Sequence, residues 1–153
     1  MRHLRARRPV LVLAALWWLL YNDHTGLARI GLLAALLHES GHVLAWAAIT
    51  RTLPVLRFST GGIGLDTSRA VLGRRQTFFL ALAGPAVNLG ACAIALAALQ
   101  HRASYWGYFF AAANLALGGF NLLPFGPMDG RQMLAALRRR ADPVCNSRPN
   151  GLQ

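Results

Sequence analysis

Long apolar runs separated by short polar segments dominate this chain. The apolar runs cover residues 9–21, 27–49, 76–100 and 105–137. As a helix, the run from 27 to 49 would be roughly 34 Å long at about 1.5 Å per residue, which is enough to cross the hydrocarbon core of a bilayer. The pattern predicts an all-α integral membrane protein with about four transmembrane helices.

The first apolar run also fits a second class of segment. It follows a basic start and ends near Trp17 and Trp18. Signal peptides share a basic start and a short apolar region, but they end at small residues, and a bulky polar sequence follows here instead. Tryptophans are frequent at membrane interfaces, so a short first transmembrane helix is the favoured interpretation.

The polar segment over residues 51–75 predicts a small β-hairpin between the second and third helices. Two β-prone stretches, residues 55–60 and 63–65, flank the pair Gly61 and Gly62. Such runs around a glycine pair are typical of hairpins, although glycine pairs also mark plain loops. We expect the hairpin to lie at the membrane surface.

The last apolar run is too long for one simple span and predicts a broken helix. Glycines and prolines interrupt it at Gly118, Gly119, Pro124, Gly126 and Pro127. Irregular backbone at membrane depth is tolerated only where it is buried in protein or lines a cavity. If the helix enters near residue 105 and unwinds near Gly118, the chain travels roughly 20 Å inward first.

Composition and charge agree with a membrane protein. The chain is 55% hydrophobic and 14% charged, against about 25% charged residues in soluble domains. Its net charge of +11 comes from arginines, most of which lie outside the apolar runs and not in a stripe suited to nucleic acid. Fourteen of the sixteen arginines fall on one side if both termini are cytoplasmic, as the positive-inside rule requires.

The chemistry-bearing motif lies in the middle of the second apolar run. Residues 38–42 read His-Glu-Ser-Gly-His. In a helix, residues four apart share one face, so His38 and His42 can bind one metal ion while Glu39 stands beside them. The arrangement is that of zinc proteases. Packing or hydrogen-bonding histidines are the alternative, which the adjacent buried glutamate makes less favourable.

A catalytic zinc ion needs three protein ligands and one open position. Most other histidines and carboxylates fall in the tails, the outer turns or the interfacial segment. Asp129 differs because it follows the broken stretch at residues 121–128 and can reach the depth of both histidines. An ionisable residue inside a membrane is costly and is a functional candidate by default. Asp129 is therefore the predicted third ligand.

Three motifs now stand in order on successive segments. They are the pentad at residues 38–42, Ala-Gly-Pro-Ala-Val-Asn at 83–88, and Asn-Leu-Leu-Pro at 121–124 leading to Met-Asp-Gly at 128–130. From about Pro9 to Leu137 the chain resembles the site-2 protease family of intramembrane zinc metalloproteases, most of all its sporulation-factor-processing type.

The resemblance implies one zinc ion per chain, bound by His38, His42 and Asp129, with Glu39 as the catalytic acid and base. It also implies that Asn88 lies near the active site and that the region of Gly61 and Gly62 forms a β element beside the substrate. The substrate would be a transmembrane or membrane-anchored protein in the cell membrane of a prokaryote. Residues 1–140 would form the protease domain, followed by a disordered polar tail over 141–153.

Several roles stay open at this point. Asn88 suits a hydrogen bond between helices as well as an oxyanion contact, and Asn121 suits a helix cap as well as a substrate contact. Gly84 and Pro85 favour a simple kink. Two other functions also remain: an inactive relative that binds membrane segments, and a small ion transporter component that uses the broken helix.

Overall fold

The computed structural model describes residues 13–52, 56–59, 62–65 and 72–138. Most of these residues are helical. In chain order the elements are α1 (helical over residues 13–21), α2 (Leu27–Thr50), β1 (Leu56–Ser59), β2 (Gly62–Leu65), α3 (Arg74–Leu99), α4 (Tyr105–Asn121) and α5 (Asp129–Arg138). Gly61 and the tail over residues 141–153 lie outside the described residues.

Helices α2 and α3 are long and apolar enough to cross a membrane. They contain 24 and 26 residues, which corresponds to about 36 and 39 Å at the standard helical rise. The second and third predicted transmembrane helices therefore match α2 and α3 in position. Helix α4 has 17 residues, and the described part of α1 is shorter.

Helix α3 is the centre of the packing, with α2, α4 and α5 all placed against it. Glycines allow the close approach: a Cβ atom at Gly41 of α2 would lie 2.6 Å from the carbonyl oxygen of Ala83 in α3. Similarly, a Cβ atom at Gly118 of α4 would lie 3.2 Å from the Cβ atom of Asn88 in α3. Small residues at contacts between helices are typical of membrane proteins, where close packing drives association.

A buried carboxylate secures the turn between α1 and α2. Asp23 accepts hydrogen bonds from the Thr25 hydroxyl and from the backbone amide of Arg29, both at 3.0 Å. Burial raises the pKa of the Asp23 carboxyl, but the bonds from Arg29 and Thr25 outweigh this effect and hold its pKa below the ordinary value. Asp23 thus satisfies an otherwise unpaired amide in the first turn of α2.

The break in the last apolar run begins later than predicted. Helix α4 continues through Gly118 to Asn121, and α5 resumes at Asp129. Gly118 stays within the helix, where its missing side chain permits the close contact with α3. The interruption depends instead on Pro124, which has no backbone N–H, and on Gly126, whose φ of 61° lies in the left-handed region.

Strands β1 and β2 form a two-stranded antiparallel ribbon between α2 and α3. Leu56 pairs with Leu65, and Ser59 pairs with Gly62. The ribbon lies in the region that was predicted to form two strands around the glycine pair. For these strands the structure describes the backbone pairing only.

Candidate metal centre

Helix α2 presents its two motif histidines on the face that packs against α3. His38 and His42 are one turn apart, and their exposed fractions are only 6% and 8%. Their Nε2 atoms lie 3.2 Å from each other. The helical spacing therefore brings both imidazoles to one point, as predicted.

The third predicted ligand reaches the same point from the other end of the chain. Asp129 is the first residue of α5, and the irregular segment after α4 carries it to the histidines. Its Oδ2 atom lies 3.1 Å from Nε2 of His38 and 3.3 Å from Nε2 of His42. The structure thus brings together a buried group of two histidines and one aspartate that could hold a metal ion.

These separations fit a tetrahedral zinc ion. Ligand atoms that are about 2.0–2.1 Å from a tetrahedral zinc ion stand about 3.3–3.4 Å apart, and the observed values are 3.1, 3.2 and 3.3 Å. Two imidazole nitrogens and one carboxylate oxygen are also the ligand types that zinc accepts in catalytic sites, with a fourth position left for water. The donor set and its geometry therefore fit the metal.

A backbone carbonyl sets the protonation of the second histidine. Nδ1 of His42 lies 2.9 Å from the carbonyl oxygen of Leu80 and donates its hydrogen to it. A neutral imidazole protonated on Nδ1 has its free lone pair on Nε2. His42 is therefore held in the tautomer that binds a metal through Nε2.

Gly84 of α3 lies directly against the rings of the two histidines. A Cβ atom there would lie 2.8 Å from Cε1 of His38 and would collide with Nε2 of His42. Sequence reasoning took Gly84 with Pro85 as a kink and missed this contact. A glycine within an apolar helix was the available signal, since such glycines often mark close approach between helices.

Gly130 has a comparable position beside the third ligand. A Cβ atom there would collide with the carbonyl oxygen of Leu122 and would lie 2.7 Å from that of Leu123. The backbone at the end of α4 therefore approaches the first turn of α5 more closely than a larger residue would allow. This approach fixes where Asp129 begins the helix.

Glu39 differs from the ligands in its exposure. It follows His38 directly in α2, and the sequence predicted it to be buried; this was wrong, since Glu39 is exposed whereas His38 is buried. Successive residues of a helix point about 100° apart, so Glu39 stands beside the ligand group and not within it. The Glu39 carboxylate is therefore not covered by the described part of the chain.

The other predicted residues lie around this group in different ways. Asn88 is fully buried, and its amide donates to the carbonyl oxygen of Ala34 at 3.2 Å, which is the contact between helices described as one alternative. Asn121 donates to the carbonyl oxygen of Leu117, one turn earlier in its own helix, so its side chain bonds back within α4. Gly62 begins β2. Substrate or oxyanion contacts by these residues stay predictions.

The chain is similar to known proteins along most of its length. It is 36% identical over 150 residues to the protein named "Putative zinc metalloprotease Rip3" in two strains of Mycobacterium tuberculosis, H37Rv and Erdman. The match covers 86% of this chain but only 35% of each relative, so the chain spans about a third of the length of those proteins. No protein-family model matches it.

A solved structure shares the fold. The site-2 protease from Methanocaldococcus jannaschii superimposes with a TM-score of 0.61 over 84% of this chain and 62% of that one, at 24% sequence identity. The fold, the relatives named as zinc metalloproteases and the group of His38, His42 and Asp129 agree with the family that the three motifs indicate. The comparisons therefore support the assignment of the chain to the site-2 protease family.

Proposed function

We propose that this protein is a zinc-dependent endopeptidase that cleaves transmembrane or membrane-anchored proteins within the bilayer. The observation that carries the proposal is the convergence of His38, His42 and Asp129 on one point. The two histidines lie in a helix long and apolar enough to span a membrane. The relatives named as zinc metalloproteases support the same chemistry.

In the proposed mechanism, a metal ion and one carboxylate have separate catalytic roles. His38, His42 and Asp129 would hold zinc, which when bound acts as a Lewis acid on water and on the scissile carbonyl group. Glu39 accepts a proton from the attacking water and returns it to the nitrogen of the leaving peptide, so that the carboxylate is regenerated. Its exposure beside the buried ligands leaves room for both transfers.

Substrate recognition would involve the ribbon and the asparagines. A helical substrate hides its scissile bond in its own hydrogen bonds, so it must unwind before cleavage. An extended segment can then add to an edge of the ribbon formed by β1 and β2, in the region of Gly61 and Gly62. Asn88 and Asn121 are the proposed polar contacts to the substrate or to the developing oxyanion. For Asn88, a contact to the oxyanion would come in addition to the hydrogen bond that its amide donates to Ala34.

The proposed setting is a prokaryotic cell membrane with about four spans. Helices α2 and α3 supply two of them, and α1 and α4 would supply the others. Both termini would be cytoplasmic, with the active site towards the cytoplasmic side, because most arginines then lie inside. Residues 1–140 would form the protease domain.

The decisive experiment replaces the proposed acid and base. Glu39→Gln in the purified full chain should retain zinc but reduce cleavage of a membrane-anchored substrate by about 100-fold or more, the lower end of what general acid–base catalysis contributes. The neighbouring Ser40→Ala is the matched control and should cleave normally. His38→Ala should lose zinc.

Other outcomes would assign other functions. Unchanged cleavage by Glu39→Gln contradicts the mechanism. Binding of membrane segments that is equally strong with and without zinc, in the absence of any cleavage, would indicate an inactive binding protein. Ion flux through reconstituted vesicles would indicate a transporter component.

A further inference from the structure

The two histidines differ in how their second ring nitrogen is satisfied. Nδ1 of His42 donates to the carbonyl oxygen of Leu80. Nδ1 of His38 is buried and has no hydrogen-bond partner in the described part of the chain. A histidine that binds a metal through Nε2 carries its hydrogen on Nδ1, and this N–H group nearly always has an acceptor. His38 therefore requires one.

An unpaired acceptor lies in the same junction of helices. Asn88 is 0% exposed, and its Oδ1 atom has no hydrogen-bond partner among the described residues. The amide nitrogen of the same side chain donates to Ala34, one turn before His38 in α2. Asn88 is thereby fixed against the helix that carries His38, with its oxygen free to accept.

The contacts of Gly84 show which way the His38 ring faces. The ring edge formed by Cε1 and Nε2 lies against Gly84 of α3, and Nε2 also faces Asp129. Cε1 joins the two ring nitrogens, so Nδ1 adjoins the ring edge that contacts α3 and is the nitrogen away from the metal position. Asn88 is one turn beyond Gly84 in α3 and contacts Ala34, one turn before His38 in α2. It is thus the buried polar side chain of α3 one turn from the residue that the His38 ring contacts.

We propose that Oδ1 of Asn88 accepts the Nδ1–H hydrogen bond of His38 across one buried water molecule. The inference rests on the proposed zinc site and gives Asn88 the role of a positioning residue: it holds His38 in the tautomer and orientation that bind zinc. Gly118 of α4 closes on Asn88 from the other side, so all three helices fix this one side chain. Buried polar groups are normally paired in this way by protein or by water.

Two substitutions of Asn88 separate its acceptor from its donor. Asn88→Leu removes both, whereas Asn88→Asp keeps the acceptor but loses the donor to Ala34. We expect Asn88→Leu to bind zinc about 10- to 100-fold more weakly, the usual effect of losing such a partner, and Asn88→Asp to bind it much as the wild type does. Zinc affinity is measured by competition with a chelator on the full chain in detergent, without a substrate.

Asn114→Leu is the matched control. Asn114 is also 0% exposed, and its Oδ1 atom has no partner among the described residues. Within that part of the chain its amide bonds only to Phe110 in its own helix, and no contact joins it to a ligand. Its zinc affinity should be unchanged. Equal losses in Asn114→Leu and Asn88→Leu would overturn the proposal, as would wild-type affinity in Asn88→Leu. If the two Asn88 variants keep zinc but both lose cleavage, Asn88 acts on the oxyanion and the proposal is wrong.

A spectroscopic measurement covers the case in which Asn88→Asp does not fold. In the zinc-loaded wild type, nitrogen-15 magnetic resonance should show two hydrogen-bonded Nδ1–H signals, from His38 and His42. Asn88→Leu should shift or lose the His38 signal alone, and an unshifted signal would overturn the proposal. A wild-type chain that binds no zinc at all would instead contradict the proposed function.

Discussion

Individual atoms of the metal centre are held by groups that carry no charge. The backbone carbonyl of Leu80 sets the tautomer of His42, and the bare Cα of Gly84 leaves space for both imidazoles. Shifts of a few tenths of an ångström matter for ligand atoms that must stand about 3.3 Å apart around zinc. The surrounding backbone is therefore as much a part of the site as the ligands.

Adding one methyl group at Gly84 should disrupt the site. In Gly84→Ala the new Cβ atom would meet Nε2 of His42 and Cε1 of His38, and both rings are too tightly buried to move away freely. We expect zinc binding to weaken by about tenfold or more, comparable with the loss of a supporting group around a metal. Chelator competition measures the effect.

Gly90→Ala provides the control for this prediction. Gly90 lies in the same helix, and a Cβ atom there would have no neighbour within 4 Å. Alanine also favours helix over glycine, so this variant should keep its zinc and its thermal stability. Equal zinc affinity in both variants would show that Gly84 does not shape the site.

At the scale of whole elements, helix α2 and the break before α5 were predictable to different degrees. The apolar run with its histidine spacing located α2 to within two residues. The break was expected near Gly118, yet α4 continues to Asn121. A glycine alone does not show whether it ends a helix or permits close packing, because both uses depend on what lies opposite.

The ribbon allows a test of substrate binding by strand addition. Phe58→Pro removes a backbone N–H from β1, which a paired substrate strand or the ribbon itself would use. If cleavage depends on this pairing, the rate should fall roughly tenfold, which corresponds to about 1.4 kcal/mol, near the upper end for one hydrogen bond. Initial rates with a membrane-anchored substrate provide the measurement.

Phe58→Ala separates the backbone from the side chain at this position. It removes the aromatic ring but keeps the N–H group, so cleavage should decrease less than in Phe58→Pro. Unchanged cleavage by the proline variant would exclude strand addition at β1.

At the scale of the molecule, α3 is the common support of the site. Helix α2 brings two ligands to it and α5 brings the third. The exposed arginines Arg51, Arg74, Arg131 and Arg138 lie at the helix ends near this site, whereas Arg102 lies at the other end of α3, in the turn before α4. The charge asymmetry along α3 therefore predicts which end faces the cytoplasm.

Reporter fusions test this orientation. A fluorescent protein that matures only in the cytoplasm should be bright when fused after Gln153 and dark when fused after His101. A phosphatase that is active only outside the cytoplasm should give the opposite pattern at the same two positions. The same signal at both positions would contradict the predicted topology.

The sequence by itself determined the features that depend on neighbouring residues. The helical repeat places His38 and His42 on one face whatever surrounds them, and the length and apolarity of α2 and α3 suffice to identify possible spans. The three motifs likewise indicated the family that the comparisons support.

Only the tertiary structure decided how distant segments meet. Asp129 is 91 residues from His38 in the chain, so its position depends on how α5 docks on α3 and on the close backbone approach at Gly130. The carbonyl of Leu80, the space at Gly84 and the unpaired oxygen of Asn88 matter only because α2 and α3 pack closely. No local pattern encodes such contacts, because each depends on which atoms of another helix lie opposite.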